Sequence, residues 1–207
     1  MIYEGEIKEG IISGQGKEYD YEGKLKFEGE FSNWKRNGKG KEYYNGKLEF
    51  EGEYLNGEKN GKGKEYYKDN TIIEGEYIEG KKNGIFKEYK DRKLIFEKEF
   101  EHGNLKRGKE FNEDGKITYD GTYNNGIKLN GIIKEYYKDG KLAFEGEIKN
   151  EGIWNGKKYE QNGEIIYEIK EGKGIIKEFN ENNELIFEGE FSNGKKMEKE
   201  RNFTKVK

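Results

Sequence analysis

The chain contains no cysteine and no proline, one alanine (Ala143) and one histidine (His102) among its 207 residues. Without cysteine, disulfides and thiolate metal sites are excluded, and the redox compartment is left open. With one histidine, every Ser-His-Asp or Cys-His arrangement would have to rest on His102, which falls in a predicted turn after the strand Phe96 to Phe100. No apolar run approaches the ~18 residues of a membrane-spanning helix. Residues 2–12 are too charged for a signal peptide. No long run of one charge sign occurs either: 40 basic and 43 acidic residues interleave, as in Lys39-Gly40-Lys41-Glu42, for a net charge of -3. A nucleic-acid-binding surface would show a basic stripe, and recognition of anionic lipid would call for clustered lysine and arginine; here every lysine run has glutamate beside it. These absences point to a cytoplasmic protein without direct nucleic-acid contact, and they argue against a membrane partner. The lack of proline and alanine, with a surplus of Lys, Asn, Ile, Tyr and Phe, follows AT-rich codon usage and is read as genomic.

Only 30 % of the residues are hydrophobic and 40 % are charged, values that would normally indicate disorder. The aromatics contradict that reading. They make up 14 % of the chain, and they recur in register. Copies of Phe-Glu-Gly-Glu-Tyr/Phe begin at Tyr3, Phe27, Phe50, Ile73, Phe96, Tyr119, Phe144, Tyr167 and Phe187, at intervals of 24, 23, 23, 23, 23, 25, 23 and 20 residues. A fixed short period means stacked supersecondary units, each too small to bury its own apolar face.

In residues 50–72, Phe50, Gly52 and Tyr54 alternate with Glu51 and Glu53, and Lys62 to Tyr67 has the same period of two. Between them Leu55 to Gly61 is rich in Asn and Gly and predicts a turn; Asn45-Gly46 and Asp139-Gly140 mark the second turn of the unit. Each unit is thus a β-hairpin, and the hairpins join into an antiparallel meander. A helix fails on the same residues, because each unit carries two to five glycines and no apolar stripe of helical period persists. The motif glycines leave room for a neighbouring aromatic to lie across the backbone. A pairing of Tyr54 with Gly63 would place Glu53 opposite Lys64, with an aromatic-and-glycine face on one side and a Glu/Lys ladder on the other.

Phe50-Glu51-Gly52-Glu53-Tyr54, Asn56-Gly57 and Gly61-Lys62-Gly63 together resemble the MORN repeat, a unit of about 23 residues with an aromatic-x-Gly-x-aromatic start, an Asn-Gly turn and a Gly-x-Gly second strand. Residues 27–43 and 73–84 resemble it nearly as well, and the later copies look like the divergent bacterial variant associated with antitoxin components. The resemblance covers essentially the whole chain. It implies an all-β, elongated, twisted single-layer antiparallel sheet of eight to nine hairpins with a shallow aromatic groove, running over residues 1–196, with residues 197–207 as a cap or frayed tail.

Catalysis finds no footing in these residues. Glu51 and Glu53 recur in nearly every copy, whereas a catalytic acid pair needs two different environments at one place. The Gly-x-Gly elements are not followed by a helix that could cradle phosphate. The expectation is therefore a protein that is not an enzyme and needs no cofactor or metal. It would bind another protein, as an inhibitor or neutraliser of a toxin or nuclease; a MORN-type scaffold on phospholipid is the alternative. The free sheet edges predict capping by the tail or by a second copy, giving a homodimer.

A partner that reads only repeated residues could slide by one unit, so specificity belongs to the irregular copies. Trp34 stands where a turn glycine is expected, and Trp154 precedes Asn155-Gly156 in an equivalent predicted turn. Each ring is either an interface anchor or a lid on its own hairpin. Lys98 replaces the motif glycine, near His102, in a copy that also loses a residue in the predicted turn Leu105 to Gly108. Partly exposed Tyr54 and Tyr77 would add generic groove area.

Overall fold

The computed structural model describes residues 2–180, 184–192 and 195–197. Among these residues there are eighteen strands and no helix. The chain forms two compact units, Met1–Arg107 and Gly108–Lys207. Of the expected tail, only Met197 lies within the described residues.

In the first unit, β1 (Ile2–Lys8), β2 (Ile11–Tyr19), β3 (Leu25–Ser32), β4 (Lys35–Tyr44), β5 (Lys47–Leu55), β6 (Glu58–Tyr66), β7 (Thr71–Ile78), β8 (Lys81–Lys90) and β9 (Lys93–Glu101) follow one another. Each pairs antiparallel with the next. The register differs from the pairing expected for Tyr54. Gly52 faces Gly63 and Glu51 faces Lys64, while Tyr54 faces Lys59. The motif glycines therefore oppose one another rather than opposing rings.

The turn is also shorter than expected. Asn56-Gly57 closes the hairpin with both residues at positive φ (53° and 96°). Asn60-Gly61 lies inside β6, where Gly61 (φ 103°) sits beside a register shift in the pairing with β5. Leu105 to Gly108, expected as a turn, is likewise strand: β10 (Asn104–Phe111) follows a two-residue turn at His102-Gly103.

The first unit's core is one layer of rings. Edge-to-face contacts, with centroids 5.2–5.8 Å apart, link Tyr3, Phe31, Phe27, Tyr54, Phe50, Tyr77, Phe86 and Phe100 without interruption. Each such pair adds roughly 0.5–1.5 kcal/mol beyond its buried area. The rings lie over glycines, as the motif requires: a Cβ on Gly63 would fall 2.5 Å from Phe50 Cζ. No second sheet covers this layer in the unit. Long polar side chains do so instead, with the Arg36 guanidinium 4.1 Å above Phe27 and Lys59 Nζ 3.7 Å above Phe50.

The second unit repeats the architecture with β11 (Ile117–Asn124), β12 (Ile127–Tyr136), β13 (Leu142–Lys149), β14 (Gly152–Tyr159), β15 (Ile165–Lys170), β16 (Lys173–Phe179), β17 (Leu185–Ser192) and β18 (Lys195–Lys196), again paired in order. Its core is more aliphatic: Ile148, Ile169 and Ile176 are buried alongside Tyr119, Phe144 and Phe191.

Candidate functional site

Alternation along the strands sends the rings to one face of the first unit and the Glu/Lys positions to the other. The second face carries a groove of about 1350 Å³ crossing β1 to β8. Its floor is the backbone of Gly5, Gly16, Gly29, Gly40, Gly52, Gly63 and Gly75. These glycines face each other strand by strand. Along one wall the sign of charge alternates with every strand, through Glu4, Lys17, Glu28, Lys41, Glu51, Lys64, Glu74 and Lys87. The other wall contains Gln15, Glu30, Lys39, Glu53, Lys62, Glu76 and Ile85. The groove is thus floored by glycine and walled by charge, not lined by aromatics as the resemblance implied.

The wall charges are not equally available. Tyr19, Tyr43, Tyr66 and Tyr89 donate to the carboxylates of Glu4, Glu28, Glu51 and Glu74 at 2.9, 2.6, 2.5 and 3.3 Å. Burial, reinforced by these carboxylates, pushes the Tyr43 and Tyr66 hydroxyls up to about 12. On the opposite wall Glu30 accepts from the backbone N–H of Lys39 at 3.2 Å, its carboxylate folded over Gly38. Lys64 pairs with Glu74 at 3.2 Å. Lys17, Lys39, Lys41 and Lys62, by contrast, have no side-chain partner among the described residues.

Of the residues expected to bind, Tyr54 and Tyr77 are buried, at 4 % and 3 % exposure, and belong to the ring layer on the face away from the groove. They cannot supply groove area; Arg36, Lys59 and Lys82, counted as polar in the sequence, cover this face. Tyr77 donates to Glu65 at 2.7 Å. Lys98 is committed inside the sheet, 2.6 Å from Glu88 and 4.3 Å from the Phe96 ring. His102 occupies its predicted turn (φ 51°), its N–H directed at Asn83 Oδ1 3.4 Å away.

The two tryptophans separate. Trp34 is in a turn and 63 % exposed. Trp154 is not in a turn but within β14, in the second unit, with Lys149 Nζ 5.0 Å from its ring and its carbonyl accepting from Gly172 N–H. The Asn-Gly pair following it is strand, because Gly156 is drawn into register with Gly146.

One recurring set was missed in the sequence. Asn37, Asn60 and Asn83 in the first unit, and Asn130 and Asn155 in the second, accept backbone N–H bonds from Asn56, Glu79, His102, Asn150 and Glu171, each in the next hairpin turn of its own unit. The signal in the sequence is an Asn repeated at one place in the unit, beside the turn.

Among the described residues, no group of three or more His, Asp or Glu is arranged to hold a metal ion. The MORN repeat profile matches residues 3–24, 27–47, 50–72 and 187–199, and the MORN repeat variant profile matches 105–125 and 129–150. No curated protein matches the chain. The unmatched stretches contain Phe86, Lys98 and the shortened copy at Tyr167, where glycine or aromatic positions of the unit are replaced.

Proposed function

This chain belongs to the MORN-repeat family, and on that footing we propose that it is a non-catalytic binding protein holding a segment of another protein in the groove of its first unit. The observation that carries this is the groove itself: its floor is sheet backbone, because the side-chain positions between its walls point to the ring face, and the walls present lysines with no partner of their own. A surface of this kind suits an elongated segment, since its features repeat along one direction and converge on no single reacting point. In its specific form the proposal makes the protein a cytoplasmic neutraliser of a toxin or nuclease, the use that the variant repeat suggests. A phospholipid scaffold is less well supported, because glutamates separate the wall lysines.

The absence of cysteine allows a clean test. A photo-crosslinker on Lys62→Cys should capture the partner from source lysate, whereas the same probe on Lys138→Cys in the second unit should not. If the partner co-purifies but crosslinks only from Lys138→Cys, the groove is not its site. The purified partner's activity, with and without the protein, then distinguishes a neutraliser from a passive scaffold.

A further inference from the structure

β1 is an edge of the first unit's sheet, since within the unit it pairs with β2 alone. Half of its backbone N–H and C=O groups point away from β2, where the unit has no strand to receive them. Two features of the inner strands are cut off at this edge.

One is apolar. In three copies the fifth residue lies between two rings: Phe31 between Tyr3 and Phe27, Tyr54 between Phe27 and Phe50, and Tyr77 between Phe50 and Phe86. All three are at most 5 % exposed. In β1 this place belongs to Ile7, on the ring face with Tyr3. The unit has no strand beyond it, and Ile7 is 60 % exposed.

The other is charge. Along the groove wall Glu28 stands between Lys17 and Lys41, Glu51 between Lys41 and Lys64, and Glu74 between Lys64 and Lys87. Glu4 has Lys17 on one side and, within the unit, no lysine on the other. The Tyr19 hydroxyl that it accepts is neutral and leaves it charged. Glu6 and Lys8 share this face of β1, both exposed and 3.7 Å apart, so the face keeps one negative charge in excess.

We propose that β1 takes an extended partner segment as an added antiparallel strand, with basic side chains opposite Glu4 and Glu6 and an apolar one opposite Ile7. From its N-terminus the segment meets Lys8, Ile7, Glu6, Gly5, Glu4 and Tyr3, so the matching order is acidic, apolar, basic, glycine, basic, apolar. Glycine belongs opposite Gly5 because Gly16, Gly40 and Gly63 face glycines in the inner ladders. The backbone ladder supplies affinity and the alternate side chains supply selection. A second copy's β1 does not fit. An antiparallel contact centred on Gly5 sets Glu4 against the other Glu6, and one centred on Glu4 or Glu6 sets that residue against itself. Centres at Tyr3 or Ile7 leave an overlap of about three residues, short of an ordinary strand. The site is independent of what the groove holds.

The probe is a fluorescent peptide containing Glu-Leu-Lys-Gly-Lys-Leu, with Lys-Leu-Glu-Gly-Glu-Leu as its charge-exchanged control, followed by anisotropy on the full chain. The control should bind at least about tenfold more weakly. Glu4→Lys/Glu6→Lys should invert the preference, which loss of folding could not do. The first peptide N-methylated along its backbone keeps its side chains and should not bind. Hydrogen exchange should slow in β1 only when the first peptide is present. Equal binding of the two peptides, preference for the control, or binding of neither overturns the proposal. So does binding that survives N-methylation, or β1 amides already protected by self-association without peptide. Binding blocked by a bulky maleimide on Lys62→Cys overturns it as well, because the peptide would then lie in the groove.

Discussion

Asn60 Oδ1 accepts the backbone N–H of Glu79 at 3.2 Å, joining the bulge of one hairpin to the turn of the next. Beside it, the N–H of Gly80 donates to the Lys59 carbonyl at 2.9 Å. Where the Asn is present, two bonds therefore bind a hairpin to the next at the turn edge, in addition to the strand ladder. A hairpin stack with only nearest-neighbour contacts depends on such interfaces for cooperativity. Replacing Asn60 by Ala should cost about 1 kcal/mol, the typical worth of one hydrogen bond. Asn60→Asp, which keeps the acceptor, should cost less. Equal denaturation midpoints for wild type and Asn60→Ala would remove the tie from the account.

The dipeptide Asn-Gly shows how far the sequence could be read. Asn56-Gly57 was legible as a turn because two alternating segments flank it. Asn60-Gly61, identical in composition, is a bulge, and what distinguishes it is the partner of Asn60, a turn 19 residues away. The same limit misplaced Trp154, which was positioned by the Asn-Gly after it. The ring layer was legible in the spacing of Phe27, Phe50 and Tyr54. The burial of Tyr54 and Tyr77 was not, since it depends on register: they face Lys59 and Lys82 across the strands, on a face where Arg36, Lys59 and Lys82 place their cations over Phe27, Phe50 and Phe86. Hydropathy counts those residues against a core, and here they complete one. The groove needed the register: only when Gly52 faces Gly63 and Gly40 do the flanking Lys41, Glu51 and Lys64 line up into one wall.

Tyr54 and Tyr77 occupy the same place in successive units but are bonded differently. Tyr77 donates to Glu65, which Lys82 also holds at 2.7 Å. The Tyr54 hydroxyl lies beside Glu42 and Arg36 outside hydrogen-bond geometry. Tyr77→Phe should therefore cost roughly 1.5–3 kcal/mol, the range for a bond to a charged group, whereas Tyr54→Phe should be close to neutral. Urea unfolding of the two variants checks the contrast. A larger loss for Tyr54→Phe would contradict it.

Alkaline pH should unfold the protein through its tyrosines. Burial and neighbouring carboxylates raise Tyr43, Tyr66 and Tyr67 from 10.0 to about 12, and the hydroxyls of Tyr54, Tyr77 and Tyr123 rise further. The folded state thus holds the phenolic protons more tightly than the unfolded chain does. The resulting stability is complete below the unfolded value of 10.0 and is lost as pH climbs from there towards about 12. Phenolate absorbance should lag a free-tyrosine titration, then rise together with loss of the β-sheet circular dichroism signal. A Tyr43→Phe/Tyr66→Phe variant should lose stability less steeply over that interval. Full phenolate formation with the sheet signal intact would refute the coupling.

Ile73 and Phe86 exchange roles with their counterparts in neighbouring units. Where earlier copies have Phe50 on the first strand and Gly63 on the second, this copy has Ile73 and then Phe86. The Phe86 ring fills the space over Gly75, where a Cβ would fall 2.6 Å from it, and it continues the ring layer to Tyr77 and Phe100. One large ring is thus supplied from the opposite strand, and the partner position shrinks to make room. Phe86→Gly alone should lose about 3–5 kcal/mol or more, since it empties a fully buried site and adds a glycine to a strand. Ile73→Phe alone should cost about 1–3 kcal/mol by overpacking against Phe86. The double variant restores the arrangement of the preceding unit, so its loss should fall below the sum of the single losses by about 0.5–3 kcal/mol. Thermal unfolding of the three variants measures the coupling directly. Simple additivity would mean that the two side chains do not share one site.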